Sequence, residues 1–151
     1  MNAEQTFKEK APLVMKWLMR DCRLLDYQAA GILGNIGHEC LGFTTLREIG
    51  QPGDFGGWGW SQWTGPRAHS FRDWCDGQGL DWKSDAANYG YLKHELKGAY
   101  AYCVAAVAKA KSAHEAAVAF ERTYERAGVP AYESRQRWAD LALAAYRAFN
   151  S

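Results

Sequence analysis

Asp26-Tyr-Gln-Ala-Ala-Gly-Ile-Leu-Gly-Asn-Ile-Gly-His-Glu39 is the stretch that decides the fold. Ala29, Ile32, Leu33, Ile36 and the following Cys40 recur at steps of three and four, which predicts an amphipathic helix. Asp26 is placed to cap it, and it should end near Gly42. Gly31, Gly34 and Gly37 fall three apart on this helix. Each costs a helix interior about 0.8–1 kcal/mol relative to alanine. Close approach of another backbone is the natural compensation, so this is expected to be the central helix of the domain.

Helices extend outward in both directions. Phe7, Ala11, Val14, Leu18, Cys22 and Leu25 mark an N-terminal helix in which Pro12 must sit in the first turn or at a kink. Thr64 with Pro66 opens a helix carrying Phe71, Trp74 and Cys75, and Ser84 caps one carrying Tyr91, Leu92 and Leu96. Gly98 marks a break before an alanine-rich helical segment from Ala99 to Lys111. Ser112-Ala-His-Glu115 has the spacing of a capping box for a helix turning Ala113, Ala117, Phe120 and Tyr124 inward, stopped by Gly128 and Pro130. Trp138, Leu141, Ala142, Ala145 and Phe149 define the last helix. Between Leu41 and Trp63 the helical period disappears and glycines become dense, which suits a small hairpin or an irregular loop. The expected class is mainly α, with roughly six or seven helices around a central one.

The chain has 151 residues, 48% of them hydrophobic, enough for a single domain over 1–151 with a proper core. A net charge of +1 spread along the chain leaves no electrostatic footprint for nucleic acid. Met1 to Lys10 is polar and predicts no secretory signal. No window approaches the roughly 18 apolar residues of a membrane span, so no stable membrane insertion is expected. Cys22, Cys40, Cys75 and Cys103 are far apart and are expected to be mostly buried, reduced thiols. His69, His94 and His114 lack ligand spacing, so neither a metal nor any other cofactor is expected, and His38 is read as structural.

The residues that suit chemistry cluster around the end of the central helix. Glu39 shares a face with Ile32 and Asn35 and borders the buried stripe. A carboxyl held against apolar surface keeps its proton more readily and can donate it to a leaving oxygen. The alternative for Glu39 is a helix-end ion pair at the surface. Hydrolysis of a glycoside asks for a second, ionised group, and Glu48 or Asp54 in the following loop are the candidates, Glu48 first; either could instead be a solvated loop acid or pair with Arg47. Trp58, Trp60 and Trp63, beside Phe55, offer rings to stack on sugars, although at least one should pack on the central helix. Ser61, Gln62 and Thr64 offer hydrogen bonds to hydroxyl and N-acetyl groups.

Ala30 to Glu39, followed by Gly57-Trp-Gly-Trp-Ser-Gln-Trp-Thr-Gly-Pro-Arg67, resembles the phage tail lysozyme family and related phage endolysins. The resemblance continues through Tyr89 to Leu96 and through Phe120-Glu-Arg-Thr-Tyr-Glu-Arg126. It implies a lysozyme-like, mainly α fold that cleaves peptidoglycan between N-acetylmuramic acid and N-acetylglucosamine, with Glu39 as general acid. Gly57, Gly59 and Gln62 are also similar to the substrate-strand signature of lysozyme-like lytic transglycosylases. Cys40 stands where many relatives have serine, Ala127 where they often have proline, and Glu48 where phage-type lysozymes more usually have aspartate.

The leading expectation is therefore a muramidase acting on glycan strands, in which Glu39 protonates the glycosidic oxygen, Glu48 or Asp54 assists, and the Trp58 to Thr64 wall with Tyr124 holds the glycan. A lytic transglycosylase, which would need no second carboxylate, is the alternative, and a non-catalytic wall-binding module the third reading. A free endolysin would accumulate as a monomer in the host cytoplasm and reach the wall, in the periplasm, through a holin-like permeabilising protein. A virion component would arrive from outside.

Overall fold

The computed structural model describes residues 2–48 and 56–151. Among the described residues it is mainly helical: α1 (Ala3–Cys22), α2 (Asp26–Glu39), α3 (Gly65–Gln78), α4 (Asp85–Leu96), α5 (Ala101–Val107), α6 (Ala113–Phe120), a π-helical turn (Glu121–Glu125) and α7 (Tyr132–Phe149). No strand forms among them. The expected hairpin reduces to two isolated antiparallel bridges, Arg47 to Trp58 and Trp58 to Trp63, in an irregular loop after α2.

The glycines of α2 explain its position. A Cβ on Gly31 would lie 2.3 Å from the Ala116 side chain of α6, and one on Gly34 would lie 2.3 Å from the Arg135 carbonyl of α7. Only hydrogen fits at either place, so α2 packs chiefly against α7 and α6 at backbone contact. Ile32, Leu33 and Ile36 are fully buried and join Phe7, Leu18, Phe120 and Trp138 in one core. The expectation of a central helix in close backbone contact holds.

Several element boundaries differ from expectation for local reasons. Pro12 sits buried in the interior of α1, where its ring removes the bond to the Lys8 carbonyl. Leu25 is not part of α1 but the exposed N-cap of α2, its backbone N–H held by the Gln28 side chain, so Asp26 opens the helix rather than capping it. Ser84 and Ser112 cap α4 and α6 as expected. Glu115, however, reaches back to the Lys111 N–H, one residue beyond a capping box. The alanine-rich segment forms only the short α5, because turns occupy 97–100 and 108–109. All four cysteines are free thiols, Cys40, Cys75 and Cys103 buried and Cys22 half-buried. No described helix is long and apolar enough to cross a membrane.

Candidate active site

Glu39 is the last residue of α2, and its side chain is 18% exposed at the edge of the core. Its Oε2 lies 2.8 Å from Nη2 of Arg135, whose side chain is only 1% exposed. The same guanidinium donates from Nη1 to Asn35 Oδ1 at 3.0 Å and from Nε to the Pro130 carbonyl at 2.6 Å. Asn35 is fixed in turn, since its Nδ2 donates to the carbonyls of Gly31 and Ala117. The acid therefore sits against a cation whose every direction is set by α2, α6 and the entry to α7. Burial raises the pKa of Glu39, and Arg135 opposes that rise without cancelling it.

A second carboxyl approaches from the π-helical turn. This turn follows α6 directly and ends at Arg126 in the left-handed region (φ 48°), with the Arg126 N–H bonded to the Glu121 carbonyl and the Ala127 N–H to the Glu121 carboxylate. π-turns of this kind re-aim side chains and are frequent at functional sites. Here Glu125 is half-buried, and its Oε1 lies inside without a hydrogen-bond partner. Burial, and then the charge of Glu39, hold the Glu125 carboxyl well above the ordinary glutamate range. Ser61 lies beside Glu125 and favours its charged form, yet Ser61 Oγ is itself buried without a completed hydrogen bond. Two neighbouring polar atoms, Glu125 Oε1 and Ser61 Oγ, without a completed hydrogen bond are unusual for a finished interior.

Much of the aromatic segment folds inward. Trp60 and Trp63 are 1% and 2% exposed, Ser61 and Tyr124 are equally buried, and none of these rings has a face to offer a sugar. Trp60 packs on Phe43 and Trp63 on Phe71 and Tyr91, because the glycine-rich loop folds inward onto the core. Trp63 Nε1 donates to Glu95 Oε1 (3.0 Å) and to the Tyr124 hydroxyl (2.9 Å), while the Tyr124 hydroxyl donates to Glu95 Oε1. Arg67 closes this network with two bonds to the Glu95 carboxylate and one to the Tyr124 carbonyl. Trp58 is half-buried, with the guanidiniums of Arg47 and Arg72 4.3 and 4.5 Å from its ring and Trp82 packed edge-on.

Gln62 has a positive φ of 50° and donates to the carbonyls of Thr45 and Gly59, pinning the loop. Gly59 (φ 76°) is required beside it, since a Cβ there would lie 2.6 Å from Asn88 Oδ1. Thr64 is exposed at the N-cap position of α3. Burial occupies the rings of Trp60, Trp63 and Tyr124 from which stacking was expected, and the Gln62 Nε2 expected to meet a ligand is bonded to backbone carbonyls.

Glu48 is exposed, and its Oε2 accepts from the Gly57 N–H at 2.9 Å while its own N–H donates to the Gly57 carbonyl. This closes the base of the loop, and no hydrogen bond or ion pair of the described residues joins Glu48 to Glu39. Asp54 lies outside the described residues. His38 Nδ1 lies 2.8 Å from Ser134 Oγ. The described residues contain no group of His, Cys, Asp and Glu placed to hold a metal ion.

Sequence reasoning missed Arg135 and Glu125. A signal for the first was present, because Arg135 stands on the same helical stripe as Trp138, Ala139 and Ala142, a cation where the pattern demands an apolar residue. Glu125 follows the inward Tyr124 by one position, so only the extra residue of a π-turn brings its carboxyl toward the core.

No curated protein matches the sequence. The family model of phage tail lysozymes matches residues 9–146. Because that match spans nearly the whole length, the chain belongs to the phage tail lysozyme family, with a lysozyme-like, peptidoglycan-lytic function.

Proposed function

We propose that the protein is a muramidase that cleaves the bond between N-acetylmuramic acid and N-acetylglucosamine, with Glu39 as the general acid. The observation that carries this reading is the placement of the Glu39 carboxyl, partly exposed at the end of α2, with its proton affinity raised by burial. A carboxyl so placed can retain a proton at the working pH and still reach a leaving oxygen. Water then completes hydrolysis at the anomeric carbon.

A lytic transglycosylase is the second reading, and the position of Glu48 favours it. That carboxylate is engaged by the Gly57 backbone, and a transglycosylase uses a single acid that later accepts the proton of the muramic 6-hydroxyl. As a free endolysin the protein would act as a monomer after release from the host cytoplasm by a holin-like permeabilising partner.

Digestion of purified peptidoglycan by the wild type and by Glu39→Gln, followed by mass spectrometry, tests all three readings. New reducing ends from wild type, with turnover about 10²–10⁴-fold lower in the variant, are expected for the muramidase. Fragments lighter by one water identify the transglycosylase. Binding with no fragments from either protein would replace both with a wall-binding role.

A further inference from the structure

We propose that Glu125 is the second carboxyl of the site, sharing one proton with Glu39 beside Arg135, and so acting as a positioning residue that keeps the acid loaded. The inference rests on Glu39 being the general acid. Its geometric basis is a mismatch of charge: two carboxyls from different elements meet one buried guanidinium. Arg135 is hydrogen-bonded to Glu39, to Asn35 and to the Pro130 carbonyl, and makes no hydrogen bond to Glu125. Glu125 Oε1 is enclosed without a completed hydrogen bond, the Ser61 hydroxyl being the donor beside it. A second anion enclosed in that way is costly, so one of the two carboxyls retains a proton.

Glu125 is faced by Glu39 from α2, Arg135 from α7, Arg67 from α3 and the Ser61 hydroxyl from the loop. Glu39 is faced by Arg135 and, more weakly, by Glu121. Cys40, next along the chain, is pushed up to about 12 by burial, with Glu39 and Glu125 adding to it, and stays a neutral thiol. His38 is pushed down by burial and by Arg135 and stays uncharged near neutral pH. Of the two arginines, Arg67 faces only Glu125 and is already engaged by the Glu95 carboxylate, whereas Arg135 faces both acids.

The proton balance is complete without an added reagent. Before reaction the pair carries one proton and one negative charge, offset by Arg135. Glu39 gives the proton to the departing glycosidic oxygen as the C–O bond breaks, and the pair becomes a dianion opposite the positive sugar. Water, or an internal hydroxyl, attacks the anomeric carbon and its proton returns to Glu39. Glu125 thereby supplies the second negative charge that Glu48, engaged at the loop base, does not bring to Glu39.

The test is carboxyl-carbon NMR titration of ¹³C-glutamate-labelled wild type and Glu125→Gln, together with pH profiles of kcat/KM on purified peptidoglycan. Glutamine copies the neutral carboxyl in shape. In wild type the pair should titrate in two separated steps, the later one above the ordinary glutamate range. In Glu125→Gln the Glu39 midpoint should fall, and the alkaline limb of kcat/KM should move acidward by about one pH unit or more, a roughly tenfold loss above neutrality with activity retained below it. An unchanged Glu39 midpoint with an unshifted limb would overturn the proposal, whatever the overall activity. If the variant does not fold, wild type decides: a single ordinary titration of Glu125 refutes proton sharing. Because NMR reads the pair without substrate, a wild type that leaves peptidoglycan intact would remove the enzyme reading while the pairing is still measured.

Discussion

Glu125 has a consequence for folding that is separable from catalysis. Burial and the charge of Glu39 raise its pKa in the folded state, so the folded protein holds a proton that the unfolded chain releases. The stability associated with that proton is fully present below the ordinary glutamate range, near 4.3, and is lost as pH rises from there toward the folded value. Glu125→Gln removes the loss. Thermal melts should therefore show the variant more stable than wild type at pH 8, by on the order of 1–3 kcal/mol, with the two converging at pH 4. A variant less stable at pH 8 would mean that Arg67 and Arg135 stabilise a Glu125 anion after all. Arg135 belongs to the opposite category. Arg135→Met keeps the bulk but leaves the Glu39 carboxylate and Asn35 Oδ1 without their donor, and urea unfolding should register a loss of about 3–5 kcal/mol. The half-buried placement of Glu39 at the end of an apolar stripe was legible in the sequence. Its partners were not, because Asn35 and Arg135 are 100 residues apart and no local pattern pairs them.

At the scale of elements, α2 shows what periodicity can and cannot convey. Three glycines spaced three apart on an apolar helix imply that something approaches closely, but not which helices do so; α6 and α7 fill the two sides. Gly34→Ala would put a methyl group 2.3 Å from the Arg135 carbonyl, and this backbone also carries the guanidinium that holds Glu39. Gly77, inside α3, has open space around its Cβ position. The same substitution should therefore have opposite signs at the two sites: Gly34→Ala lowers stability by about 1–3 kcal/mol or more, and Gly77→Ala raises it by roughly 0.5–1 kcal/mol. Paired thermal melts check both, and equal effects would contradict the backbone contact of α2 with α7. The π-turn was not legible at this scale, since its residues continue the helical pattern of α6 and the change shows only in its hydrogen bonds.

Across the whole molecule, the candidate site lies between two buried networks, the second of which ends at Tyr124, the chain neighbour of Glu125. One joins Glu39, Asn35 and Arg135 within α2 and α7, and the other joins Trp63, Arg67 and Glu95 to Tyr124, tying the loop, α3 and α4 to the π-turn. The tryptophan-rich segment reads in sequence as a sugar-binding wall because composition is blind to which face a ring presents, whereas the folded loop spends Trp60 and Trp63 on the core. Tyr124 separates the two interpretations experimentally. Its ring stacks on Phe120 at 4.5 Å, so Tyr124→Phe retains that contact and loses only the hydroxyl shared with Glu95 and Trp63. A ligand contact would appear as a raised KM for glycan at unchanged stability. A framework role, which the burial of Tyr124 requires, predicts the reverse: unfolding free energy down by about 1–3 kcal/mol, KM nearly constant, and kcat reduced because the adjacent Glu125 loses its fixed place beside Glu39.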